Sequence, residues 1–327
     1  MHAAITPTAG GLASAGLGPK SDPAAPPAGI AATSAGSLGR LPPSAIMLLA
    51  ILCVQLGAAL ATVLFSSLGP IGTAFASSCF SAIVLTAISR PRALFLHSGH
   101  LIRRHALLIL AFGVVDVAMV LPFFLALERI PLGIASTVAF LGPLGLAVAT
   151  ARRLIHFLWI GIAALGVALL TPDIGAQMGQ GGIDPLGLGY AAIAALAWAA
   201  FVPLSKQTGA IFPGNAGLAL AMWVSATLTL PAALAEGSIA AASAFDLAGA
   251  LGVSLIGVVL PLVLEFQALQ RISARTYGIL VTLEPAIGAL VGVILLSQPA
   301  SPRMIVAVAC VMLAALGVTL SDRREPH

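Results

Sequence analysis

The chain has 327 residues, 59% of them hydrophobic and only 8% charged, with a mean hydropathy of +1.08. Water-soluble domains carry about 25% charged residues, so composition excludes one. A net charge of +4 would suggest nucleic acid in a soluble chain, but here the placement of the charges decides their meaning.

Residues 1–43 are rich in Ala, Gly, Pro and Ser. They cannot build a core and are expected to form a disordered cytoplasmic tail, and they do not read as a signal peptide. Ten apolar runs of spanning length follow, at 45–66, 71–89, 106–127, 132–150, 156–171, 185–205, 216–235, 247–269, 276–297 and 302–320. Backbone polar groups in lipid must be satisfied internally, which leaves helices or a closed barrel. The alternating ten-residue segments of a barrel are absent. The fifth run is short and borrows from its flanks. A Gly-rich link, DIGAQMGQGGID at 173–184, separates a first half at 45–171 from a second at 185–320.

The expected fold is all-α integral membrane, with ten transmembrane helices in two inverted five-helix repeats. With a cytoplasmic N-terminus, thirteen of the fifteen Lys and Arg residues fall inside, and only Arg129 and Arg303 fall outside. That asymmetry sets the orientation and checks the span count. Two sequence echoes support duplication. LERIPLGIASTVAFLGP at 127–143 matches LQRISARTYGILVTLEP at 269–285, and AALGVAL at 163–169 matches AALGVTL at 314–320. Five spans per half is odd, so the copies face opposite ways, as in many transporters. Cys53, Cys79 and Cys310 all fall in spans without metal or disulfide spacing.

Ionisable residues inside spans cost roughly 2.5–3.5 kcal/mol on insertion scales and need a reason. Glu284, mid-span in the ninth run, precedes Pro285. That proline removes a backbone hydrogen bond and is expected to kink the helix. A carboxylate there can bind an ammonium group or a proton; the alternative is a neutral acid bonded to a neighbouring helix. Tyr277 shares its face by helical spacing. Asp116, mid-span in the third run, reads as a second proton or substrate site, or as an acid paired with Gln55 or Ser77. Glu265, near the cytoplasmic end of the eighth run, is within reach of Arg271 or Arg275 for a gate; a static helix-end pair is the alternative. Gln55 in the first run is a hydrogen-bonding partner for substrate or for another helix. Trp198, mid-span in the sixth run, lines the cavity or packs. Trp159 and Trp223 read as interface anchors. Pro143 is the kink equivalent to Pro285. No nucleotide-binding, metal or nucleophile signature is present, so neither an enzyme nor an ATP-driven pump is expected.

These residues carry a resemblance. QLGAALA at 55–61, PLGIA at 131–135, GPL at 142–144, Leu260-Pro261, Leu264-Glu265, Arg271 with RTYG at 275–278, and LEP at 283–285 recur in that order across ten spans. The chain resembles the drug/metabolite transporter superfamily, of EamA type, and within it the bacterial threonine/homoserine exporter family. The resemblance implies a multi-pass inner-membrane exporter of amino acids or related metabolites, with both termini cytoplasmic and no cofactor. Its partners would be a small-molecule substrate and the lipid bilayer, not nucleic acid; a homodimer is left open. Three places depart from the family pattern: Ala139 stands for a Glu, Ser77 for an Arg and Gln298 for an acid. A zwitterion would then need backbone dipoles in place of the lost charges. The alternatives are transport of an apolar solute in either direction, or a scaffold or sensor subunit.

Overall fold

The computed structural model describes residues 41–89, 99–150, 155–170, 184–212, 215–269 and 280–321. Most of the N-terminal tail and of the Gly-rich link lies outside them. Among the described residues every regular element is a helix. The first apolar element, α1 (Pro43–Ile88), has two arms that meet at Gly69, with φ 65° and ψ 169°. An L side chain would clash at that φ, and Pro70 then opens the second arm without needing a backbone donor. The break falls between the first and second expected runs.

The remaining helices are α2 (Gly99–Arg104), α3 (Ala106–Leu127), α4 (Leu132–Thr150), α5 (Ile155–Leu170), α6 (Pro185–Ile211), α7 (Ala216–Ala235), α8 (Ser238–Ala241), α9 (Ala244–Ser254), α10 (Leu260–Leu269), α11 (Glu284–Leu295) and α12 (Pro302–Ser321). Among the described residues five stretches are long and apolar enough to cross a membrane: Pro43–Ile88, Ala106–Leu127, Pro185–Ile211, Ala216–Ala235 and Ala244–Glu265. A π-helical turn, Leu255–Val259, joins α9 to α10. Pro261 offers no N–H to the ladder there, and the widened turn places Gly257 against Gly57 of α1. Helix α6 runs six residues past the expected end at 205, because nothing at 206–211 stops a helix once it leaves the apolar zone.

Water cannot drive helices together inside lipid, so close packing of small residues must. The main core cluster is accordingly rich in alanine (Ala58, Ala61, Ala135, Ala250, Ala307), with Phe124, Leu132 and Val291 filling between them. Many other large apolar side chains face outward: Leu107 is 79% exposed, Leu196 75% and Phe245 79%. Such a surface matches lipid rather than water. Helix α5 packs on α12, and this contact explains one sequence echo. Gly166 and Gly317 are the same position of the AALG repeat. A Cβ on Gly166 would press on Ala307 and Cys310, and one on Gly317 would enter the Trp159 ring. Trp159 is thus a packing residue between α5 and α12. Trp223 is 39% exposed, and its Nε1 donates to Thr86 Oγ1 at 3.1 Å.

Three ties gather at one end of the bundle. Arg129 pairs with Asp184 at 2.9 Å, and Asp184 also caps α6 by accepting from the Leu186 N–H at 2.9 Å. Ser67 donates to Asp246 at 2.6 Å, which closes a capping box with Ser243. Gln298 Oε1 accepts from the Leu132 N–H at 3.0 Å. The Arg129 hydrogen bond, and next the Leu186 N–H, hold the Asp184 carboxyl below its ordinary range. That contribution is present at neutral pH and is lost as pH falls through the lowered value.

Candidate functional site: a buried polar layer

The ninth apolar run is interrupted where Glu284 was expected to sit mid-helix. Thr282 and Leu283 form a turn, Leu283 N–H donates to the Leu280 carbonyl at 3.0 Å, and α11 begins at Glu284. Pro285 therefore starts a helix rather than kinking one. At the first turn its missing N–H costs nothing. Pro143, its partner in the repeat, lies inside continuous α4. The carboxyl at 284 thus stands on the first turn of a helix that begins within the bundle.

Three elements meet at this point. Gln55 of α1 is 1% exposed, Ser136 of α4 is 3% and Glu284 is 9%. The Ser136 hydroxyl donates to Gln55 Oε1 at 3.2 Å, and Gln55 Nε2 donates to the Glu284 carbonyl at 3.5 Å. Gly288, one turn on, leaves room for both: a Cβ there would sit 2.9 Å from Ser136 Oγ and 3.0 Å from Gln55 Oε1. Gln55 thus bridges helices and lines the same layer as Glu284. Ser136 is a member that sequence reading missed, since a lone serine in an apolar span looks like any small packing residue.

Phe140, one turn beyond Ser136, meets Trp198 edge to face with centroids 6.4 Å apart. Leu141, Trp159, Trp198 and Val281 pack around the Phe140 cluster. Trp198 is therefore part of the apolar packing around Phe140. Gln298 covers the start of α4 and presses on Gly292. Replacing Gln298 with Ala leaves the Leu132 N–H without this partner. The expected cost is about 0.5–1.5 kcal/mol, read as a lower Tm in detergent, with Gln298→Glu close to wild type because it keeps the acceptor.

The other expected residues fall elsewhere. Asp116 is 2% exposed and lies against Ser225 of α7, not against Gln55 or Ser77. Ser77 instead donates to its own helix, to the Ala74 carbonyl at 3.1 Å. Ala139 is buried in the apolar core. Glu265 is half-buried on α10, within electrostatic range of Glu284. Tyr277, Arg271 and Arg275 lie outside the described residues, so the gate drawn from them does too. A groove of about 410 Å³ between α11 and α12 is lined by apolar side chains such as Leu290, Val293 and Met304. Nothing in it offers polar chemistry, and it is separate from the Gln55 layer. Among the described residues no group of His, Cys, Asp and Glu is arranged to hold a metal.

A helical bundle with an apolar surface and a small buried polar layer suits the passage of a solute. The comparisons agree. Residues 185–320 match the EamA-like transporter family. The threonine/homoserine exporter RhtA of Salmonella typhimurium strain LT2 is 31% identical over 89% of this chain and 97% of its own length. The threonine/homoserine exporter RhtA of Escherichia coli strain K12 is 31% identical over 89% of this chain and 96% of its own. A crystal structure of a protein only 19% identical shares the fold, with a TM-score of 0.57 over 86% of this chain and 98% of that one. The chain belongs to the EamA-like transporter family. It is a multi-pass membrane transporter and not an enzyme, as the sequence motifs indicated.

Proposed function

We propose that the chain is a secondary active transporter of the bacterial inner membrane that exports small amino acids of the threonine/homoserine kind. The observation that carries this reading is the Gln55–Ser136–Glu284 layer, in which an amide and a hydroxyl from two helices are tied to the backbone carbonyl of a buried acidic residue on a third element. Glu284 receives the substrate ammonium. The positive end of α11 and the Gln55 amide take its carboxylate, in place of the arginine that Ser77 replaces.

Alternating access between two inverted five-helix halves, 45–171 and 185–320, moves the layer from one side to the other. Several contacts support the inversion. Helix α3 packs on α6 and α7 of the other half, and α9 and α10 pack in turn on α1. Gly166 and Gly317 sit at equivalent points of the α5–α12 contact. The loops assigned to the outer side tie to one another through Arg129–Asp184 and Ser67–Asp246. Both termini are then cytoplasmic, by the charge asymmetry. Phe140, Trp198 and Val281 close the inner path and Gln298 the outer one; Glu265, with Arg271 or Arg275, guards the cytoplasmic mouth.

Purified protein in vesicles preloaded with labelled threonine or homoserine tests the assignment. Release faster than from protein-free vesicles, saturating with internal solute, is expected. Identical release from both vesicle sets would refute it.

A further inference from the structure

A second buried acid has Ser225 of α7, not a member of the Glu284 layer, as its hydrogen-bonding neighbour. Asp116 of α3 is 2% exposed, and its Oδ2 is buried with no hydrogen-bond partner. The Ser225 hydroxyl lies 3.4 Å from that of Ser78 on the second arm of α1. One turn along that arm, Ser81 meets Ser254 of α9 at 2.9 Å. Ser225 thus brings a hydroxyl to the carboxyl, backed by hydroxyls of α1 and α9, with one carboxyl oxygen left over. A carboxylate in such a place is costly, whereas a carboxylic acid is cheap.

The helices around it are closely packed. One turn before Asp116, Gly113 lies against Val224 and Ala221 of α7, so tightly that a Cβ would overlap the Val224 side chain. Phe112 stacks on Phe201 of α6 with centroids 4.9 Å apart. The titratable groups on the elements packed here are few. Among the described residues they are Cys53 and Cys79 on α1, Tyr190 and Lys206 on α6 and Asp246 on α9, with His105, Glu128, Asp184 and Glu236 at helix ends, and none of them acts on Asp116. The acid can therefore ionise only when α3 and α7 separate, and its hydration then favours the separated state.

We infer that Asp116 is a proton-exchange site, distinct from the solute layer, that couples proton release to the parting of α3 from α7. The inference rests on the transport reading above, with α3 and α7 in opposite halves. The proton enters as the carboxyl O–H from one aqueous phase and leaves to the other, while the solute moves the opposite way. Asp116→Asn keeps the shape and the neutral state but cannot exchange the proton, so the halves still move without being driven.

Two measurements test this. In the first, spin labels are placed on the exposed positions Leu110 of α3 and Leu228 of α7, with Cys53, Cys79 and Cys310 replaced by Ala. The label distance distribution is expected to shift between acid and alkaline pH, and Asp116→Asn is expected to abolish that shift. A wild-type distribution independent of pH, or an unchanged shift in the variant, overturns the inference. In the second, vesicles carry a pH gradient and labelled threonine. With one proton per solute, each pH unit sustains an about tenfold gradient. Asp116→Asn is expected to lose that accumulation but retain threonine–threonine counterflow; retained accumulation overturns the inference. Should Asp116→Asn not fold, Ser225→Ala replaces it. That variant is expected to move the pH midpoint of the label shift, and an unmoved midpoint counts against the proposal. Wild-type protein that moves no threonine in either mode refutes the substrate assignment, while the label measurement still decides the role of Asp116.

Discussion

Glu284→Gln raises the KM for efflux of threonine or homoserine by about one to two orders of magnitude while leaving the protein folded. Glutamine has nearly the same volume, and the Glu284 carbonyl that Gln55 holds is backbone, so the layer keeps its shape. What is lost is a charged partner for the ammonium group. A hydrogen bond to a charged group is worth about 1.5–3 kcal/mol, which is about 10- to 150-fold in KM when ground-state and transition-state binding fall together. Glu284→Asp is expected to recover part of this, since it keeps the charge but sets it one methylene short of the layer. Efflux kinetics in vesicles at several internal concentrations give the value. An unchanged KM in Glu284→Gln would remove Glu284 from the binding site and leave its burial as a helix-packing feature.

Gly57→Ala has the largest expected effect on folding. Gly57 of α1 and Gly257 in the π-helical turn meet backbone to backbone, and a Cβ on Gly57 would overlap the Gly257 Cα. Neither atom can turn away, because both belong to main chain. Extra methyl groups in a tight core cost about 1–3 kcal/mol, and a main-chain contact places this case at the upper end. The contact is not symmetric: a Cβ on Gly257 would stand 3.1 Å from the Gly57 Cα. Gly57→Ala is therefore expected to lower Tm and yield far more than Gly257→Ala, as followed by thermal unfolding of the purified variants. Equal losses in both would mean that the helices slide apart to relieve the contact.

Most of the helical architecture was legible in the chain itself. Apolar runs of spanning length marked α3, α4 and α7 to the residue, because a helix in lipid starts and stops where hydropathy does. The gap between the runs at 45–66 and 71–89 marked the turn in α1, and the structure supplies its local reason, a positive φ at Gly69 followed by a proline without a donor. Glu284 and Asp116 stood out because ionisable groups in lipid are costly wherever they are. The repeat at 127–143 and 269–285 suggested equal behaviour at Pro143 and Pro285. There local reading failed: one proline sits inside a continuous helix and the other opens a new one. Proline is tolerated in either place, and neighbouring helices decide which.

The sequence by itself determined that this chain lives in a membrane as a helical bundle, that it belongs with the transporters, and which acids need an explanation. Hydropathy and the cost of charge in lipid act locally, so one dimension suffices to read them. Only the tertiary structure decided that Gln55 and Ser136 share a layer with Glu284 while Asp116 lies beside Ser225, and that Gln298, a seeming lost charge, covers the start of α4. Those pairings join residues from 81 to 229 positions apart. A hydroxyl or amide in an apolar span carries no local mark of its partner until the helices are packed.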